Sequence, residues 1–198
     1  MEVKRTIKVN TDQFEVGDVI KFKLADVIKF KLADGEKVQA RAVKQTSIGM
    51  LFVLVDCLAK EYPMFESMKD MTEDYFTYEN SDLRKALNGE ILARFPEEIR
   101  SRMVALNGHG DLLRIPTERE IFGENVYGQP DGEKRWKCMK KRRNRIAFQG
   151  KEGAWEWYWL MNRRKDFASH FAAVYDNGYA NSYAASISLG VRPVFLLS

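Results

Sequence analysis

Hydrophobic and polar positions divide the chain into a strand-like part, a helical part and an aromatic C-terminal part. Apolar and polar residues alternate weakly in 5–9 and clearly in 18–33 and 37–44, and 48–55 is almost continuously apolar. A two-residue period is typical of a strand buried on one face, and a short apolar run of a strand buried on both. We therefore predict a meander of antiparallel strands over residues 5–55, with a turn at Asp34-Gly35.

The strand region contains a perfect tandem duplication, DVIKFKLA at 18–25 and again at 26–33. Eight is an even number, so both copies keep their apolar side chains on the same face. No Gly or Pro separates them, which disfavours a hairpin and favours an overlong strand, or one copy in register with the other looped out. Two copies are too few for a repeat architecture. We interpret them as a recent tandem duplication or a cloning artefact.

Residues 81–123 carry the start signals of two to three short helices. Ser81 is a predicted N-cap, Pro96 opens the segment PEEIRSRMV, and Thr117 begins a capping box followed by a stop at Gly123. The segment 124–153 has the glycines and prolines of loops. Strands with helices grouped in the middle predict an α+β fold, and no linker divides the single domain 1–198.

The C-terminal region 155–198 is predicted to hold the binding function. Trp155, Trp157 and Trp159 alternate, so on a strand they share one face. We expect Trp159 in the core, whereas the other two are either core residues or a platform for a sugar ring or peptide. The apolar run 191–197 predicts a buried closing strand, and Arg192 a buried, paired arginine that pins it.

The stretch between these anchors has almost no helical periodicity and is rich in Tyr, Asn, Ser and Arg. These residue types are enriched in binding surfaces, because Tyr gives contact area with few torsions and Asn and Ser adapt their hydrogen bonds. The alternative is an ordinary polar loop with Asn177-Gly178 as a hairpin tip. We predict that loops over 162–188 form the recognition surface. The predicted ligand-binding residues are Trp155, Trp157, Asn162, Arg163, Arg164, His170, Asp176, Asn177, Tyr179, Asn181, Tyr183 and Ser186.

Charge adds one further candidate surface. The net charge is +4, and the segment 134–145 alone contains eight basic residues and no acid. Phosphate neutralisation and stacking on Trp136 would suit nucleic acid, but no helix-turn-helix or RNP motif accompanies the run. The alternative is a solvated loop, or one paired with the acids Glu73, Asp74 and Glu79. Nucleic acid is therefore not the expected partner.

Signatures of catalysis, metal binding and membrane targeting are absent from the sequence. Cys57 and Cys138 belong to no CxxC or Cys/His pair, and His109 and His170 accompany no nucleophile motif, so we expect no catalytic residue, metal or cofactor. No stretch approaches the length of a membrane span. We also expect no signal peptide, because no apolar segment follows the charged start.

Several blocks together resemble an uncharacterised bacterial and phage domain family. SDLRKALN at 81–88 is similar to its S-x-LR-x-x-LN block, and WYWLMN at 157–162 and GVRPVFLL at 190–197 are similar to its WWLRS and GVRPA motifs. The resemblance covers residues 14–197. Met161 and Asn162 stand where the family has Arg-Ser, and no established activity comes with the family. The resemblance implies a bacterial cytoplasmic or phage-particle setting.

The C-terminal region is also similar to C-type-lectin-like folds, found in formylglycine-generating enzymes and in the variable proteins of diversity-generating retroelements. This implies an α+β, C-type-lectin-like fold with antiparallel sheets and two to three short helices. Formylglycine-generating enzymes rely on paired cysteines in their C-terminal part, and no cysteine follows Cys138. In the variable proteins, a displayed C-terminal surface binds host molecules.

We therefore expect a non-enzymatic ligand-binding protein whose variable C-terminal surface recognises a protein or glycan on another cell or macromolecule. A homo-oligomer would multiply weak sites. One alternative is an enzyme related to formylglycine-generating proteins, with His170 or Cys138 in a pocket beside an acid of perturbed pKa. The other is a basic nucleic-acid or anionic-surface adaptor that uses residues 134–145.

Overall fold

The computed structural model describes residues 26–150 and 152–198. The strand predicted at 5–9 and the first copy of the duplicated octapeptide lie outside the described residues. The fold is α+β, with short helices and mostly antiparallel strands, as the sequence predicts. The helices are α1 (Asp82–Ala86), α2 (Glu97–Arg100) and α3 (Glu118–Phe122). The strands are β1 (Val27–Lys31), β2 (Lys37–Gln45), β3 (Met50–Leu54), β4 (Met103–Val104), β5 (Ala147–Phe148), β6 (Trp155–Glu156), β7 (Tyr158–Arg163), β8 (His170–Val174), β9 (Ala180–Ala184) and β10 (Val194–Leu197).

The predicted meander forms the N-terminal half of a five-stranded sheet with the strand order β1-β2-β3-β10-β4. The second octapeptide copy supplies β1, and its Ile28 and Phe30 side chains are buried. The predicted turn at Asp34-Gly35 is confirmed, since Gly35 has a φ of +88° that favours glycine. The predicted closing strand is also confirmed, because β10 pairs antiparallel with β3 on one side and with β4 on the other.

The three predicted helix starts are confirmed, although one helix is shorter than predicted. Ser81 accepts a hydrogen bond from the Arg84 amide, and Thr117 forms the capping box of α3. The helix that follows Pro96 ends at Arg100. The next apolar residues instead form β4, because the edge of β10 offers them backbone partners and a packing surface that outweigh a weak helix propensity.

The prediction of loops throughout 162–188 is wrong. β8 and β9 lie within this span and join β7 in a three-stranded antiparallel sheet. Residues Phe171–Val174 of β8 are completely buried. The small side chains of Ala172 and Ala173 allow close packing on both faces of the sheet, and their weak hydrophobicity conceals the strand in the sequence.

The three-stranded sheet separates two hydrophobic cores. Trp159 and Phe171 point into the larger core with the five-stranded sheet, and Tyr158 and Leu160 point into the smaller one. The predicted burial of Trp159 is thus confirmed. The three alternating tryptophans do not share one strand, because Trp155 lies on β6 and Trp159 on β7, and Trp155 is 67% exposed. The indole nitrogen of Trp159 donates to the Tyr62 carbonyl at 2.8 Å, which satisfies its polar group inside the core.

Arg192 is buried and paired, as the sequence predicts. Its Nε donates to the Leu54 carbonyl at 3.1 Å and its Nη1 to the Tyr158 hydroxyl at 2.9 Å. Its guanidinium also lies 4.8 Å from the centre of the Tyr158 ring. Burial raises the pKa of Tyr158 to about 12. This arginine therefore joins the end of β3, the start of β7 and the entry to β10.

Replacing this arginine should destabilise the whole fold. We expect Arg192→Met to lower the free energy of unfolding by about 2–4 kcal/mol, because it leaves the buried Leu54 carbonyl without its donor and removes the donor to the Tyr158 hydroxyl, which keeps only its bond to the Arg145 carbonyl. Urea unfolding measures the change. Arg143→Met, at an exposed position, is the control and should change stability by less than about 0.5 kcal/mol. Equal stability of the two variants would contradict the proposed role of Arg192.

Candidate functional site

The basic segment 134–145 packs against the tip of the β8–β9 hairpin. Arg142 donates to the Asn177 carbonyl at 3.0 Å, and its guanidinium lies 5.1 Å from the centre of the Tyr179 ring. Gly178 has a φ of +80°, and a Cβ there would lie 2.9 Å from the Arg142 carbonyl oxygen. The tip therefore needs glycine both for its turn and for its contact with the basic segment.

One side of the basic segment is buried in the protein, and the other side is exposed to solvent. Trp136 and Met139 are buried in the smaller core, so Trp136 is not the stacking platform that the sequence allowed. The exposed cations are Lys134, Arg135, Lys137, Lys140, Lys141, Arg142 and Arg143. None of them forms an ion pair with an acid in the described part of the chain, so the suggested pairing with Glu73, Asp74 and Glu79 is wrong.

One exposed aromatic side chain, Tyr179, contacts these cations, and two more, Phe148 and Trp155, lie on the β5–β6 pair that follows the basic segment. Tyr179 at the hairpin tip is 56% exposed, Trp155 67% and Phe148 38%. Phe148 and Trp155 are direct partners across the β5–β6 pair. Ile146, two residues before Phe148, lies against Gly178 of the tip, so the two hairpins are adjacent. We call these aromatic residues and the exposed cations of 134–145 the basic–aromatic face.

Trp157 is engaged within the protein. Its ring stacks on Tyr175, with centroids 4.5 Å apart, and on Tyr183, with centroids 4.8 Å apart. The Asn181 amide donates to the Tyr183 hydroxyl at 3.3 Å. These contacts build a half-buried aromatic stack at one end of the three-stranded sheet. Trp155 is consequently the tryptophan whose ring is open to a partner.

Asn162 is buried and hydrogen-bonded within the protein. Its Oδ1 accepts from the Glu118 amide at 2.7 Å, and its Nδ2 donates to the Gln129 carbonyl at 2.9 Å and to Asp131 at 2.8 Å. It thereby joins the start of α3 to the loop around residue 130. Glu118 in turn accepts the Gly128 amide at 2.8 Å, and burial raises its pKa. The polar atoms of Asn162 already have partners, although the residue also lines the cleft between 74–79 and 129–131, so its contact with a ligand stays a prediction.

The other predicted binding residues lie on separate parts of the surface. Asp176, Asn177 and Tyr179 are together at the hairpin tip, and Ser186 is exposed after β9. The Arg164 guanidinium lies 5.6 Å from the Tyr127 ring and 5.1 Å from the Phe167 ring. Arg163 donates to the Glu73 carbonyl at 2.8 Å. The structure therefore divides the predicted set into separate groups, with Asp176, Asn177 and Tyr179 at the tip and Trp157, Asn181 and Tyr183 in the aromatic stack.

His170 and Cys138 are the residues for which the enzyme alternative expects a neighbouring acid of perturbed pKa. His170 lies 5.4 Å from the Phe167 ring, and burial together with Arg164 lowers its pKa. Burial raises the pKa of Cys138, which lies near Arg41. In the described residues, neither side chain has a nearby acid that shifts its pKa.

Glu156, an acid with a perturbed pKa, lies beside the aromatic stack and was not predicted from the sequence. Glu156 accepts the Trp157 amide at 2.7 Å, while Glu61 accepts from the Gln149 side chain at 3.2 Å. Burial, followed by the charge of the neighbouring Glu61, raises the pKa of Glu156 to about 7. Glu61 and Glu156 are far apart along the chain, so no local sequence motif predicts that their carboxyls are neighbours. Cys57 is buried and free nearby, and burial raises its pKa well above the usual range.

Comparison with known families places most of the chain in one family. Residues 52–198 match DUF6273, a domain of unknown function, and the chain belongs to this family. The match begins inside β3, later than the start of our predicted resemblance. Among curated proteins and solved structures, none matches the chain.

Residues 26–150 and 152–198 contain neither a membrane-spanning helix nor a metal-binding cluster. No helix there has the length and apolar character needed to cross a membrane. No group of three or more His, Cys, Asp or Glu side chains in these residues is arranged to hold a metal ion.

The carboxyl pair predicts a dependence of stability on pH. Because the pKa of Glu156 rises from its usual 4.5 to about 7 on folding, its contribution is fully present below pH 4.5 and is lost as the pH rises through 7. Glu156→Gln removes this loss and keeps an acceptor for the Trp157 amide. We expect it to stabilise the protein by about 1 kcal/mol at pH 8, after allowance for solvent screening, and by much less at pH 4.5.

Urea unfolding at both pH values measures this effect. Glu124→Gln, which changes an exposed carboxyl in the same way, is the control and should show no such pH difference. A stabilisation by Glu156→Gln that is the same at pH 8 and pH 4.5 would contradict the proposed carboxyl pair.

Proposed function

We propose that the protein is a non-enzymatic recognition protein whose basic–aromatic face binds an anionic glycan on another cell or macromolecule. The observation that carries this proposal is the contact of Arg142 with Asn177 and Tyr179. It brings the basic segment and the predicted recognition tip, which are distant in sequence, onto one surface. Most of the cations on this surface extend into solvent.

The charge and the aromatic rings of this face act in different ways. The cations attract sulfate or carboxylate groups from a distance, and this attraction weakens as salt screens it. The exposed rings of Trp155 and Tyr179 offer flat apolar area with a polar edge, which suits the faces of sugar rings. Affinity then comes from charge, and discrimination among anions comes from ring contacts.

An anionic glycan fits this face better than nucleic acid does. Trp136, the aromatic residue within the basic segment, is buried and cannot stack on a base. No sequence motif of a nucleic-acid-binding domain accompanies the segment. The bordering tip contributes Asn, Asp and Tyr, which recognise hydroxyl-rich partners by adaptable hydrogen bonds.

We further propose a relationship to C-type-lectin-like folds and a phage- or retroelement-associated setting. Support comes from the α+β architecture, from the antiparallel C-terminal sheet and from the Gly-Val-Arg-Pro segment that leads into a closing strand. If the C-terminal region is diversified, changes should concentrate at the exposed tip residues Asn177 and Tyr179 and at the exposed positions 186–188, and they should spare Gly178. They should spare β8, since its side chains are buried in both cores.

Binding to immobilised heparin, a sulfated glycan, tests the proposal. We expect the triple variant Lys140→Ala/Lys141→Ala/Arg142→Ala to bind at least about tenfold more weakly than the native protein, and Tyr179→Ala a few-fold more weakly. Affinity should also fall steeply between low and physiological salt. Lys69→Ala removes an exposed cation away from the face and serves as the control.

Two results would overturn this proposal. Equal heparin binding by the triple variant and the native protein would remove the basic–aromatic face from the site. Stronger binding of a single-stranded oligonucleotide than of heparin, at matched total charge, would assign the face to nucleic acid. Tyr183→Ala is informative as a second variant, because it disturbs the aromatic stack without removing the exposed Tyr179 ring.

A further inference from the structure

A cleft of about 440 Å³ lies between the segment 74–79, the loop 129–131 and the end of β7. Its volume falls within the range of about 300–1,000 Å³ that is usual for small-molecule sites. The lining residues that matter here are Asp74, Phe76, Tyr78, Glu79, Asp131 and Met161. The cleft is separate from the basic–aromatic face, and two of its lining residues, Asn162 and Arg163, were predicted from the sequence as ligand contacts.

The floor of the cleft is apolar and held in place by the core. Phe76 is buried and packs edge-on against Phe65, with ring centroids 5.4 Å apart. Met161 is partly buried against the same core. A ligand would therefore place an apolar body against a preformed surface and lose little freedom through rearrangement of the protein.

The rim of the cleft is acidic. Asp74 and Glu79 are exposed, and neither forms an ion pair with a described residue. Asp131 is fixed by hydrogen bonds from the side chains of Asn125 and Asn162, at 3.2 and 2.8 Å. The one cation in the lining is Arg163, which already donates to a backbone carbonyl. The balance of charge favours a positively charged ligand.

Tyr78 forms part of the wall of the cleft. Its side chain is 4% exposed, and its hydroxyl is buried close to the Ile115 backbone and Arg114. Burial raises the pKa of Tyr78. Tyr78 therefore contributes a fixed surface to the cleft, and its hydroxyl is not a contact for a ligand.

We propose that this cleft binds a small organic cation, an amine attached to an apolar body. The apolar part packs on Phe76 and Met161, and the ammonium group lies among the carboxylates of Asp74, Glu79 and Asp131. The inference goes beyond the proposed glycan recognition, because the two sites have opposite charge and separate residues. An amine bound in the cleft should not compete with heparin.

Calorimetric titration of the full chain with phenethylamine, tryptamine and spermidine tests the proposal. 3-Phenylpropanoate, which resembles phenethylamine in size but carries a negative charge, is the ligand control. We expect at least one amine to bind and 3-phenylpropanoate not to bind. The double variant Asp74→Asn/Glu79→Gln should weaken amine binding at least about fivefold, and Glu98→Gln, an exposed acid on α2, should leave it unchanged.

Nuclear magnetic resonance locates the bound amine independently of affinity. We expect the methyl resonance of Met161 to shift on addition of the amine. The indole resonance of Trp155, which belongs to the basic–aromatic face, should stay unchanged. The proposal is overturned if none of the three amines binds at concentrations of about 5 mM. It is also overturned if the double variant binds them as the native protein does, or if 3-phenylpropanoate binds equally well. None of these outcomes depends on whether heparin binds the basic–aromatic face.

Discussion

The buried guanidinium of Arg192 is the interaction on which the arrangement of both sheets depends. It donates to the backbone at the end of β3 and to the hydroxyl of Tyr158 at the start of β7, just before the chain enters β10. A lysine could not satisfy both acceptors, because its ammonium lacks the planar fork that reaches two directions at once. Arg192 therefore links the five-stranded and three-stranded sheets, which also share both hydrophobic cores, and Pro193 precedes the closing strand.

This connection gives the proposed recognition surface a firm support close to the C-terminus. With β7 fixed to the five-stranded sheet, β8 is buried between two cores and β9 is carried with it. The tip between β8 and β9 then projects from a rigid base, and the smaller core holds the basic segment against it through Trp136 and Met139. Such a scaffold limits the conformational entropy that the exposed side chains lose on binding.

The sequence predicts those features whose cause is local or periodic. The caps at Ser81 and Thr117, the turn at Gly35 and the burial of Trp159 all follow from residue type and spacing. The strand β8 was missed because its alanines give little hydrophobic contrast, although their size is what allows dense packing on both faces. Contacts between distant segments could not be predicted, as with Arg142 on the hairpin tip, the Glu61–Glu156 pair and the network of Asn162.

The distribution of charge gives the strongest link between the fold and the two proposed sites. The eight basic residues of 134–145 carry a larger positive charge than the net charge of +4 of the whole chain. The remainder of the chain is therefore net negative. The positive and negative charges stay apart in the folded protein. The basic segment forms no ion pair with a described acid, and the acids Asp74 and Glu79 border a separate cleft. Separated charge raises the electrostatic energy of the folded chain relative to a paired arrangement. Partners of opposite sign on each surface would recover that energy, which supports two proposed ligands of opposite charge over a single one.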